Sequence, residues 1–142
     1  MTSLENLGVS TKHRHVTSST SINGIEVSAK ETTELTLTLP RPTAVKATFA
    51  REGLGRKVLK LFKKELQTGD PAFDDAIYIA TETAEATRAL LADERVRAAI
   101  AATVIAGGRI DIADATVTAE VAGRVDGADA HVERVVAALL SV

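Results

Sequence analysis

Three carboxylates fall within six residues of one another: Asp70, Asp74 and Asp75. Hard divalent cations prefer clustered oxygen ligands, so this segment is a candidate metal site that could serve a small metal-dependent enzyme. The alternative is structural: Asp70 opens a turn that contains Pro71, and Asp74 accepts hydrogen bonds from backbone amides. The spacing does not match an EF-hand loop. We favour the structural interpretation and predict no bound metal or other cofactor.

Two histidines flank an arginine near the N-terminus, in the order His13-Arg14-His15. Alternate residues of an extended chain lie on the same side, so the two imidazoles form a candidate pair of transition-metal ligands. No third ligand is evident nearby in the sequence, and ordinary solvated histidines are the favoured alternative. His131 is predicted to be a surface residue near the start of the last helix.

A basic amphipathic helix is predicted over residues 54–64. The candidate partner-binding residues lie on its polar face: Arg56, Lys57, Lys60, Lys63 and Lys64. This face could contact an acidic protein, an anionic membrane surface or nucleic acid, or it could remain solvated. Residues 1–66 hold 11 of the 17 Lys and Arg, whereas residues 67–142 hold 13 of the 19 Asp and Glu. The nearly balanced total favours pairing with the acidic stretch of the same chain, or contact with another protein, over contact with nucleic acid, and the opposite charges also suit head-to-tail self-association.

Several function classes are excluded by residue types and motifs. The chain has no Cys, which excludes thiol nucleophiles, iron–sulfur clusters and thiolate zinc sites. It contains neither a Gly-x-Ser-x-Gly elbow nor a glycine-rich phosphate-binding loop. Three Phe, one Tyr and no Trp offer few stacking rings for single-stranded nucleic acid. We therefore predict that the protein is not an enzyme and has no evident small-molecule substrate.

One stretch resembles a segment of uncharacterised bacterial proteins. The stretch begins with the GDPAFD sequence of Gly69–Asp74, continues through an apolar strand and a Leu90-Leu91 pair, and ends in Arg95–Ile100. The bacterial proteins pair a GDPxFD turn with a strand and a similar helix, often after a basic helix. The resemblance covers residues 54–104. It implies a recurring fold unit, and it transfers neither an activity nor a catalytic residue.

The apolar pattern then predicts the elements that carry these residues. Alternation predicts strands near 25–29, 35–39 and 45–49, which form an antiparallel meander over residues 22–50. Helical spacing and capping residues predict helices after Thr81 or Thr83, after Asp93 and after Gly127. A strand near 76–80 and a hairpin over residues 110–121 complete the pattern.

These elements predict an α+β fold, with a mostly antiparallel sheet of five or six strands covered by helices. The predicted order is β-β-β-α-β-α-α-β-β-α. Residues 1–21 are polar and predicted to be loosely ordered, and residues 22–142 are predicted to form a single α+β domain. Without an apolar run of 18 residues or a secretory signal, we expect a soluble, cytoplasmic protein.

The function that these observations favour is a non-enzymatic domain for protein interaction or self-assembly. An exposed strand edge within residues 14–39 would allow pairing with another chain, and a homo-oligomer is expected. Two alternatives stay open at this point. One is a metal-dependent enzyme that uses the acidic turn, and the other is an adapter that binds anionic surfaces through residues 56–64.

Overall fold

The computed structural model describes residues 3–51 and 66–141. These residues form one six-stranded sheet in which every pair of neighbouring strands is antiparallel. The strands are β1 (Ser10–Ile22), β2 (Ile25–Thr38), β3 (Ala47–Arg51), β4 (Ile77–Thr81), β5 (Arg109–Ala113) and β6 (Thr116–Ala122). Their spatial order is β1-β2-β6-β5-β3-β4, which places β1 and β4 at the two edges.

The described helices are α1 (Ser3–Asn6), α2 (Pro71–Ala76), α3 (Ala84–Leu90), α4 (Glu94–Gly107) and α5 (Ala130–Ser141). After α1, the described elements read in the predicted order, with α2 at the place of the first predicted helix, and the predicted α+β class is confirmed. The basic helix expected at residues 54–64 lies outside the described residues. None of the helices in the described ranges is long and apolar enough to cross a membrane.

Strands β1 and β2 form one long hairpin that closes at Asn23 and Gly24. Both turn residues have positive φ, 54° and 79°, as two-residue hairpin turns of type I′ require. The strands pair from Ser10 with Thr38 to Ile22 with Ile25. Residues 10–21 of the segment 1–21, which was expected to be loosely ordered, therefore lie in a strand. The segment Ser10–Ile22 contains no Gly or Pro and is rich in Thr, which suits a strand even without an apolar stripe.

The predicted meander over residues 22–50 is wrong. The stretches near 25–29 and 35–39 belong to one strand, β2, and β5 and β6 lie between β2 and β3. After β2, the backbone amides of Leu39 and Thr43 donate to the carbonyls of Ala115 and Asp114, at 2.7 and 2.8 Å. The loop thus passes over the turn of the β5–β6 hairpin and starts β3 on its far side.

Helices α4 and α5 cover one face of the sheet. Alternate residues of β2, β3, β5 and β6 supply apolar side chains to this face, and α4 packs on β3, β5 and β6. Helix α5 packs against α4, and its predicted stripe is buried at Val132, Val135, Val136 and Leu139. Burial of this apolar surface is the main source of stability. The core also includes Leu35, Leu37, Phe49, Ile100, Ile110 and Ile112.

Candidate functional site

The acidic turn holds its carboxylates in hydrogen bonds within the chain. Asp74 accepts from the Thr68 amide at 2.9 Å, the Thr68 hydroxyl at 2.8 Å and the Gly69 amide at 3.0 Å. Asp70 caps α2 by accepting from the Phe73 amide. These contacts match the structural interpretation, because each carboxylate stabilises the backbone around it.

Asp70 also connects this turn to α4. Arg97 Nε donates to Asp70 Oδ2 at 3.2 Å, and the same guanidinium donates to the Leu91 carbonyl at 2.7 Å. Asp75 is exposed and lies one residue beyond these contacts. The turn therefore joins α2 to α4 and orients the buried ring of Phe73. Among the described residues, Asp70, Asp74 and Asp75 do not form a group whose ligand atoms meet as metal ligands would.

These contacts change the acidity of Asp74. Partial burial alone would raise the pKa of Asp74, but the hydrogen bonds from Thr68 and Gly69 and the charge of Arg97 outweigh it and lower that pKa. A carboxyl whose pKa is lower in the folded state stabilises the fold when ionised. This contribution is present above the ordinary pKa of 3.8 and is lost as the pH falls through the lowered value.

We expect Asp74→Ala to lower the free energy of unfolding by about 1 kcal/mol at pH 7, as the loss of a capping side chain does. The difference from wild type should shrink as the pH falls through the lowered pKa, because wild-type Asp74 is then protonated as well. Urea unfolding at several pH values measures both effects. Asp75→Ala is the matched control and should change stability by less than about 0.5 kcal/mol. An equal loss of stability at pH 7 and in acid would contradict this account.

The two histidines of β1 lie on the same face, and the structure adds a third ligand to them. His13 pairs with Leu35 and His15 with Thr33, so both project to the face that carries the core. Their rings are 5.1 Å apart between centroids. Asp126 Oδ1 lies 3.8 Å from His13 Nε2 and 3.5 Å from His15 Nε2. One ligand atom of each residue falls within 4.8 Å of the others.

The loop between β6 and α5 brings Asp126 to the histidines. The buried hydroxyl of Thr33 donates to the Gly123 carbonyl at 2.9 Å and accepts from the Val125 amide at 3.0 Å. His15 Nε2 donates to the Val125 carbonyl at 2.9 Å. These bonds fix the loop against the middle of β2, so that the next residue, Asp126, reaches the imidazoles.

Sequence reasoning identified the histidine pair but missed Asp126. The two parts of this cluster are more than 100 residues apart in the chain, and the β1–β2 and β2–β6 pairings with the hydrogen bonds of the loop bring them together. The local signal is weak, because Asp126 lies in a loop among other acidic residues. His131, by contrast, is exposed on α5 and does not belong to the cluster.

A cleft of about 530 Å³ adjoins this cluster. It is lined in part by Leu4, Val9 and Thr11 on one side and by Asp126 and Ala128 on the other. The side chain of Asp126 is 89% exposed, so the cluster opens to solvent. A metal ion or a small anion from solution can therefore reach the cluster without a change in the fold.

A second feature of the same strand is its free edge. Among the described residues, β1 pairs with β2 and with no further strand. Strand β6 covers β2 only from Thr32 to Thr38, so the distal part of the β1–β2 hairpin extends past the rest of the sheet. Ile22 and Ile25, at the tip of this hairpin, are 60% and 68% exposed. The other edge strand, β4, receives a backbone hydrogen bond from Leu66 at the Ile79 carbonyl.

The candidate partner-binding residues of the basic helix belong to a different segment from either feature. They lie outside the described residues and stay a prediction: Arg56, Lys57, Lys60, Lys63 and Lys64. Comparisons with known proteins found no matching family model, no matching curated protein and no matching solved structure.

Proposed function

We propose that this protein is a self-assembly domain in which the free edge of β1 pairs with β1 of a second copy. The observation that carries this proposal is the length and position of β1. It is a 13-residue edge strand, longer than the five or six residues typical of strands, and its far half lies with β2 beyond the end of β6. A free edge of this kind presents unpaired backbone groups to another chain.

The composition of the edge supports pairing with a copy of itself. Residues 16–22, with the sequence VTSSTSI, contain no charged residue and no proline, the two residue types that most often protect exposed edges. An antiparallel pairing of two copies centred on Ser19 would set Val16 of each copy opposite Ile22 of the other. Lys12 and Arg14 would then fall outside the paired segment, so their like charges would not oppose one another.

The second copy is also favoured by symmetry. A two-fold axis through Ser19 uses the same segment from both chains, as an isologous dimer requires. The exposed Ile22, which is paired only with the similarly exposed Ile25 in the hairpin, would gain a second apolar neighbour. The metal-dependent enzyme hypothesis for the acidic turn receives no comparable support, since Asp70 caps α2 and Asp74 accepts hydrogen bonds from Thr68 and Gly69. A non-enzymatic assembly role thus accounts best for the described residues.

We expect the wild-type protein to form a concentration-dependent dimer in sedimentation equilibrium. Ser19→Lys should weaken dimerisation by about tenfold or more, because two lysines would lie side by side at the two-fold axis. Ser10→Lys is the matched control: it places the same charge on the same strand but outside the uncharged segment, and it should dimerise like wild type. A wild-type protein that stays monomeric at high concentration and low salt would contradict the proposal, as would a Ser19→Lys variant that dimerises normally.

A further inference from the structure

We propose that His13, His15 and Asp126 form a binding site for a borderline transition-metal ion such as Zn²⁺. This site goes beyond the assembly role and does not depend on it, because all three ligands come from one chain. Two imidazoles and one carboxylate are a ligand set found in zinc sites with three protein ligands. Hard cations such as Mg²⁺ and Ca²⁺ prefer an all-oxygen set, so the histidines select against them.

The distances from Asp126 to the two imidazoles are close to those around one shared ion, and one ligand atom from each of the three residues lies within 4.8 Å of the others. Zinc binds nitrogen and oxygen ligands at about 2.0 to 2.2 Å, so two tetrahedral ligands lie roughly 3.3 to 3.6 Å apart. The observed separations from Asp126 Oδ1 are 3.5 Å to His15 Nε2 and 3.8 Å to His13 Nε2. A movement of a few tenths of an ångström in the exposed Asp126 side chain brings both into range.

The backbone around the site is fixed before an ion binds. His13 and His15 sit at positions i and i+2 of β1, and each is paired in register with β2. On the other side, the Thr33 hydroxyl holds the backbone of the loop just before Asp126. A site whose ligands are largely positioned in advance binds with a smaller loss of conformational entropy.

Metal binding would replace one hydrogen bond of His15 with a bond to the ion. In the structure, His15 Nε2 donates to the Val125 carbonyl at 2.9 Å, so this nitrogen carries a proton. To bind an ion through Nε2, the ring must move that proton to Nδ1 or release it, and the Val125 carbonyl loses its donor. The carbonyl lies beside exposed Asp126, where water can replace the lost hydrogen bond.

Three protein ligands leave one tetrahedral position for water or an external ligand. This is the arrangement of zinc sites that keep an open position, in contrast with four-ligand structural sites. The adjoining cleft shares Asp126 with the site and opens to solvent. An anion or a small oxygen donor is therefore the class of ligand that a bound ion would accept there.

The test is a titration of the full chain, purified with a chelator and then dialysed, with Zn²⁺ in calorimetry and with Co²⁺ in visible absorption. We expect one ion per chain, and a visible absorption spectrum typical of Co²⁺ in a coordination site of low symmetry. Asp126→Asn and His13→Ala should each weaken Zn²⁺ binding by at least roughly tenfold, the lower end of the loss seen for outer-shell partners. His131→Ala, which removes an exposed histidine outside the cluster, should bind like wild type.

Both ligand variants change exposed or partly exposed side chains, so circular dichroism is expected to show an intact fold. The same titration on Ser19→Lys separates this proposal from the assembly role: a monomeric variant should still bind one ion. Binding of one ion per two chains would overturn the proposed site. So would unchanged affinity in Asp126→Asn, or an equal loss of affinity in His131→Ala.

Discussion

Gly107→Ala is expected to lower the free energy of unfolding by at least about 3 kcal/mol, the upper range for overpacking in a filled core. A Cβ added at this position would lie 2.0 Å from the Glu120 carbonyl oxygen and 2.6 Å from Val121 Cα. Both are backbone atoms of β6, which is held between β2 and β5. Neither can rotate away as a flexible side chain could, so the end of α4 or the strand must shift.

The prediction is specific because a Gly-to-Ala substitution in a helix usually has the opposite effect on stability. In an exposed helix interior, replacing Gly with Ala normally stabilises by roughly 1 kcal/mol through helix propensity. At Gly107 the steric cost should exceed that gain, because α4 approaches the centre of the sheet there. Gly127→Ala is the matched control, since a Cβ at Gly127 meets nothing within 4 Å. Urea unfolding of both variants measures the difference, and a Gly107→Ala protein as stable as wild type would contradict the close approach.

The parts of the fold that the sequence predicted well are those with strong local patterns. Helix α5 has its apolar residues at helical spacing, and its predicted stripe is buried. The β5–β6 hairpin alternates cleanly around the turn at Asp114, and it forms as predicted. Asp93 caps α4 by accepting from the Arg95 amide, again as predicted. In each case the residues that determine the element are neighbours in the chain.

The parts that were missed depend on distant residues. Strand β1 has no apolar alternation, so its pattern resembles a polar loop, and its strand structure comes from pairing with β2. Thr32 and Thr33 lie between the two stretches that were predicted as separate strands, yet both are buried within one strand. The order of the strands in the sheet could not be predicted either, because no local sequence pattern marks the loop that crosses the β5–β6 turn.

The candidate metal cluster likewise has one part that the sequence predicted and one part that it did not. The spacing of His13 and His15 is a local feature, and the sequence was sufficient to place both imidazoles on one side of an extended chain. Asp126 is contributed through two strand pairings and a loop, none of which can be inferred from composition or spacing. The acidic turn was a more conspicuous cluster in the sequence, but Asp70 and Asp74 accept hydrogen bonds from nearby backbone amides.

Thr33 is the residue that connects the fold to this cluster, and its substitution provides the second large effect. Thr33→Val keeps the shape of the side chain but removes a hydroxyl that is fully buried. The Gly123 carbonyl and the Val125 amide would then each lose a hydrogen-bond partner. We expect a loss of about 2 to 3 kcal/mol in the free energy of unfolding, because both groups are partly removed from water.

The same substitution should act on metal binding, although Thr33 is not a ligand in the proposed site. Loss of the two hydrogen bonds releases the loop that positions Asp126, and Zn²⁺ affinity should fall by roughly tenfold, as for outer-shell partners. Thr33→Ser keeps the hydroxyl and loses only a methyl group. It should therefore bind Zn²⁺ as tightly as wild type, even with a somewhat lower free energy of unfolding. Calorimetry on folded samples of both variants distinguishes the two roles. If Val and Ser variants bind Zn²⁺ equally well, Thr33 supports the fold alone and Asp126 is positioned by other contacts.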